Sequence, residues 1–181
     1  MNASASKIAL GLACACTTAL PPPSAVAYSP STGATIGPGI FTLSAYGNFF
    51  TCSTTMSVLI NGLGLANVSY VSFNLGGGGS AVCNYITVRN VPWSLSAASL
   101  VVPNKYAFYI SGVDITVRQP SGTVVVRCQG NLNATLYQPP GTNPHQIVLS
   151  SQLTTVEPIY GQPCMLTSPP GTNLPTNLTA P

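Results

Sequence analysis

Residues 51–60 read TCSTTMSVLI, and their spacing decides the fold. Cys52, Thr54, Met56, Val58 and Ile60 fall on one side of an extended chain, and Thr51, Ser53, Thr55 and Ser57 fall on the other. A period of two is what a strand with one face in the core requires, because successive side chains leave opposite faces. LANVSYVSFNL, residues 65–75, repeats the pattern, with Val71, Phe73 and Leu75 set against Tyr70, Ser72 and Asn74. VDITVR and TVVVRC flank QPSG, where Pro120 presets φ and Gly122 accepts a positive one. This is the best-specified hairpin in the chain.

The remaining strand candidates are residues 40–46, 82–89, 94–101, 106–111, 132–137, 146–149 and 154–159. After residue 27 no long segment carries a helical stripe. Many short strands separated by turn residues imply an all-β class, expected here as a single disulfide-stapled β-sandwich of Ig-like or Greek-key type.

The first 27 residues read as a signal peptide: Lys7, an apolar run too short to span a bilayer, then Ala25-Val26-Ala27 as a cleavage pattern. Removing them from 181 residues leaves 154, enough for one domain with a sizeable core. Arg89, Lys105, Arg118 and Arg127 then face only Asp114 and Glu157, a net charge of +2. Nucleic acid would be met by clustered cations, so it is not an expected partner. No later apolar run reaches membrane-spanning length, so no transmembrane segment is expected in the mature chain. Weakly charged surfaces associate readily, which favours a subunit over a free monomer.

Four cysteines follow the signal: Cys52, Cys83, Cys128 and Cys164. An even number in an exported chain argues for two disulfides. Of the three possible pairings, sequence separation favours Cys52–Cys83 and Cys128–Cys164, each closing a loop that constrains the unfolded chain by roughly 3–4 kcal/mol. A zinc site would want a C-x2-C spacing, which is missing, so no metal or cofactor is expected.

The only tryptophan stands in AVCNYITVRNVPWSLSA, residues 81–97. Pro92 biases Val91 to an extended conformation, and Trp93, Leu95 and Ala97 then share a face. Pro92 and Trp93 are read as a core keystone, because a large indole beside disulfides packs well in a small β domain. The competing reading is a stacking platform for a ligand.

Cys52 with Thr54 and Thr55, then Cys83, Pro92-Trp93, Cys128 with Gly130, and Cys164 together resemble the "protein activator of alkane oxidation" family, PraB. The likeness covers about residues 41–167. It implies a secreted bacterial protein associated with cell-surface or extracellular fibres, biofilm matrix and growth on poorly soluble alkanes. The Pro-rich tail after Thr167 departs from the family pattern.

Catalytic candidates are few. A Ser-His-Asp set would have to use His145 and Asp114, and no G-x-S-x-G elbow supports it. Paired carboxylates for glycoside chemistry would have to be Asp114 and Glu157. Asp114 is better read as the cross-strand partner of Arg127 or Lys105, Glu157 as solvated, and His145 as a loop residue. The GGGG run at residues 76–79 lacks the Lys-Ser/Thr and helix of a phosphate loop and reads as a connection. No catalytic residue is assigned, and the chain is not expected to be an enzyme.

The domain plan is a signal at 1–27, an extended N-terminal arm at 28–39, the β domain at 40–166 and a Pro-rich, extended or disordered tail at 167–181. The expected function is a secreted structural subunit of an extracellular fibre or biofilm matrix, joined through sheet edges to copies of itself, with cell-surface or matrix components as further partners. Ile40, Phe41, Leu43 and Ala45 form the expected assembly strand, hinged by Pro38 and Gly39 so that it can add to a neighbour's edge. The alternative is an extracellular binding module for a glycan or hydrophobic compound, using Trp93, Tyr106 and Tyr109.

Overall fold

The alternation of residues 51–60 sets the architecture of a computed structural model that describes residues 28–75, 81–159, 161–169 and 173–180. The expected signal segment and the glycine run at 76–79 lie outside the described residues. In strand β2 (Asn48–Ile60) the residues Cys52, Thr54, Met56, Val58 and Ile60 are all buried. Strand β1 (Ala34–Ala45) runs antiparallel beside it. The two are joined at Tyr46 (φ 51°) and Gly47 (φ 74°). Two positive φ values make the mirror-image turn whose twist matches that of the strands it joins.

Strand β3 (Ala66–Asn74) pairs with the other side of β2. A one-turn 3-10 segment (Ala81–Tyr85) and three short strands follow: β4 (Ile86–Val88), β5 (Trp93–Leu95) and β6 (Ser99–Val102). Each of these strands pairs with β7 (Lys105–Arg118), and β5 also bridges to β3. Strands β8 (Val124–Tyr137) and β9 (His145–Glu157) continue the antiparallel meander. Strands β10 (Pro163–Thr167) and β11 (Leu174–Thr176) both lie between β9 and β1. The ladders therefore run full circle, from β1 through β2, β3, β5, β7, β8 and β9 and back by β10 and β11. The all-β class stands, but the pairings join the strands into one closed sheet where the sequence reading expected two facing sheets. Closure of this kind leaves few strand edges exposed.

Several expected strands prove to be halves of longer ones. Residues 106–111 and 113–118 are both in β7, and the β7–β8 register shifts between Ile110 and Val113, around Gly112 (φ 79°). Likewise the expected strands 123–128 and 132–137 merge, from Val124 on, in β8 across Gly130. A glycine within a strand marks a bulge as readily as a turn; Gly112 is at a bulge, whereas Gly130 stays in the ladder opposite Val113. In the opposite sense, 82–89 is a 3-10 turn before a three-residue strand, and 94–101 divides into β5 and β6.

Both termini correct the domain plan. The N-terminal arm is not free: Tyr28 and Ile36 are buried, and Ala34–Ile36 pairs with Met56–Val58 of the same chain. The Pro-rich tail is docked. Its Leu174, Thr176, Leu178 and Ala180 alternate inward, and Thr179 exchanges backbone hydrogen bonds of 3.1 and 2.9 Å with Ser29. Proline removes one ladder donor, but it does not abolish a period of two.

Disulfides join Cys52 to Cys83 and Cys128 to Cys164. The first ties β2 to the 3-10 turn, and the second joins β8 to β10 past the intervening β9.

Candidate functional site

Trp93 opens β5 and is buried, 1% exposed. Its Nε1 donates to the Arg89 carbonyl oxygen at 2.9 Å, and the Arg89 amide donates to the Asp114 carbonyl at 2.9 Å. Burying an indole with its N–H satisfied is a structural use of the residue. The ligand platform built on Trp93 is therefore corrected: Tyr109 is exposed and Tyr106 half-buried, but the indole is inside. Pro92 does not share that burial and lies in the exposed connection before β5.

Asp114, in the middle of β7, is also 1% exposed. Arg127 grips it twice, Nε to Oδ1 at 2.9 Å and Nη2 to Oδ2 at 2.7 Å. Gln129 donates to Oδ2 at 2.9 Å and Asn90 at 3.0 Å. Register explains the set: Gln129 lies directly opposite Asp114 on β8, and Arg127, two residues along, is its diagonal neighbour. Burial pushes the Asp114 carboxyl pKa up, but hydrogen bonds from Arg127 and Gln129, with the positive charges of Arg127 and Arg89, outweigh it and hold the pKa below the ordinary value. Lys105, the other partner considered, sits over the Tyr137 ring at 5.3 Å. Glu157 is half exposed and reaches Arg127 at 3.8 Å.

The two catalytic arrangements weighed from the sequence are not assembled. His145 begins β9, whereas Asp114 is level with Gln129 and Thr154, most of a strand away. Asp114 and Glu157 converge on Arg127 and do not face each other across a cleft. Among the described residues no three His, Cys, Asp or Glu side chains gather as a metal site.

A surface cavity of about 460 Å³ opens beside the cluster, lined by Asn90, Gly112, Asp114, Gln129, Asn131 and Thr154, with Val113, Gly130 and Val156. It forms where the β7 bulge coincides with a gap in the β8–β9 ladder between Gln129–Thr154 and Ala134–Leu149. Asn90, held at φ 56°, turns in from the connection before β5. Sequence reasoning missed Asn90, Gln129 and Asn131, which come from separate segments. Only the glycines inside β7 and β8 hinted at a local departure from regular pairing.

A second surface feature is β6. Among the described residues it pairs with β7 alone, and all four of its residues are exposed, Leu100, Val101 and Val102 among them. The strand expected to assemble is not available: β1 is paired with β2 on one side and with β10 and β11 on the other. Within it Phe41, Leu43 and Ala45 are buried and Ile40 half-buried. Those apolar side chains were correctly placed in a strand, but they serve this chain's own core.

Together these features define a doubly cross-linked all-β domain with a buried ionic cluster beside a small polar cavity. The chain belongs to the alkane oxidation protein activator PraA/PraB-like family, whose model matches residues 1–173. No match was found among curated proteins or among solved structures.

Proposed function

We propose that the mature chain is a secreted structural protein, a subunit of an extracellular fibre or biofilm matrix in which copies join through a sheet edge. The closed sheet is the rigid body, and β6 is the joining edge. The observation that carries this reading is the side of β6 away from β7, which pairs with no other strand among the described residues and is flanked by the exposed Leu100, Val101 and Val102. Such an edge templates another strand unless charge or cover blocks it, and this chain has little charge to spare. The family description refers to alkane oxidation, and a matrix that holds hydrocarbon near the cell is one way for a non-enzymatic subunit to serve it.

The test is electron microscopy and sedimentation of the secreted protein beside a Leu100→Lys/Val101→Lys variant. Wild type is expected to form filaments and the variant to stay monodisperse with an unchanged Tm. A wild-type chain that remains monomeric at high concentration refutes the reading. Filaments from the variant would instead move the contact away from β6.

A further inference from the structure

We infer that the cavity at the β7 bulge and the adjoining gap in the β8–β9 ladder is a binding site for a neutral sugar ring. The inference goes beyond the fibre reading and does not depend on it. Its size, about 460 Å³, lies within the range of roughly 300–1,000 Å³ typical of small-molecule sites. The charge of Asp114 is cancelled by Arg127, and the remaining lining residues carry none, so an ionic ligand gains little there.

The hydrogen-bonding groups are unusually well fixed. Ionised Asp114 only accepts, so the amide nitrogens of Asn90 and Gln129 must face it, as their bonds of 3.0 and 2.9 Å show. That sets both amide planes and leaves Asn90 Oδ1 and Gln129 Oε1 as acceptors without a partner among the described residues. The Asn131 side-chain amide and Thr154 hydroxyl likewise have no partner among the described residues. Two oriented acceptors, one amide with both a donor and an acceptor, and one hydroxyl suit a ligand bearing several adjacent hydroxyls. Preorganisation of this kind lowers the ordering cost of binding.

Backbone shape adds to the fit. A Cβ built on Gly112 would meet nothing within 4 Å, so that wall is bare, and its φ of +79° disfavours any side chain that would narrow it. Val156, half-buried beside the cavity, supplies a small apolar spot for the C–H face of a ring, while Val113 at the same wall is turned into the core.

The test uses the full secreted chain in an NMR amide-shift titration with glucose, galactose, mannose, N-acetylglucosamine and cellobiose, and with inorganic phosphate as the charged control. At least one sugar is expected to give saturable shifts centred on Gly112, Asn131 and Thr154, and phosphate none. Asn131→Ala and Thr154→Val should each weaken that binding about three- to tenfold at unchanged Tm, since neither side chain bonds to the protein. Absence of saturable shifts with every sugar, equal binding by the variants, or phosphate saturating the same amides would overturn the inference. Filaments are scored separately, so a chain that polymerises yet binds no sugar refutes this site and leaves the fibre reading standing.

Discussion

Replacing Asp114 with alanine strands three donors at once: the Arg127 guanidinium and the amides of Gln129 and Asn90. Removing one member of a buried ion pair costs about 3–5 kcal/mol. Here the Arg127 side chain is 21% exposed and already 3.8 Å from Glu157, so it can turn toward solvent and the second carboxylate. The lower end, about 3 kcal/mol, is therefore expected, a fall in Tm of roughly 6–12 °C for a domain of this size. The same carboxylate shapes the acid limb. Its pKa in the fold lies below the ordinary 3.8, so its contribution is full above that value and is lost as pH falls through the lower, folded one. Urea unfolding followed by tryptophan fluorescence, with disulfides intact, should show wild type losing stability below about pH 4 while Asp114→Ala stays flatter. Asp114→Asn, which keeps the volume and drops the charge, should fall between them at neutral pH. A variant within about 0.5 kcal/mol of wild type, or one with the same acid limb, would refute the assigned network.

Two further outcomes test the packing. Acrylamide should quench Trp93 weakly in the folded monomer and strongly after unfolding, and Trp93→Ala should cost about 3–5 kcal/mol; strong quenching of the folded chain would place the indole outside. Leu178→Ala should cost about 2 kcal/mol or more and speed hydrogen exchange at Thr176 and Thr179, because it removes a fully buried anchor of the docked tail; unchanged exchange would show that the tail is held by its backbone bonds alone.

The readable parts of the fold were those in which one physical signal acted alone. Residues 51–60 alternate without interruption, and every inward residue of that run is buried. Asp114 had few cations within a strand's reach, and Arg127 is the one that holds it. Misreadings came where two signals competed. Gly112 and Gly130 fall between strand candidates in the sequence because glycine interrupts a strand pattern whether it makes a turn, a bulge or a regular pair, and only the neighbouring strand decides which. In LPTNLTA the prolines outweighed an alternation that buries Leu174, Thr176, Leu178 and Ala180. Tyr46-Gly47 lacks the Asn-Gly signature of its turn, so the hairpin that closes β1 on β2 went unseen. The cavity was illegible for a different reason: its walls come from residue 90, β7, β8 and β9, which only the register brings together.

That register also explains why a chain with two acidic residues buries one of them. Around the closed sheet most neighbours share long ladders, but among the described residues β3 and β7 are joined through the short β5 alone. This seam consists of Asn67–Ser94 and Val68–Trp93 on one side and Ser94–Ser111 and Leu95–Ile110 on the other. So short a ladder cannot hold a sheet closed by its own hydrogen bonds, since each contributes only about 1 kcal/mol net. The connection leading into it is instead clamped three times: by the indole N–H on Arg89, by the Arg89 amide on the Asp114 backbone, and by Asn90 on the Asp114 carboxylate. Trp93 and Asp114 thus secure the same weak seam, one by apolar burial and the other by charge. The polar cavity lies beside that clamp because Asn90, which closes the seam, also lines the cavity.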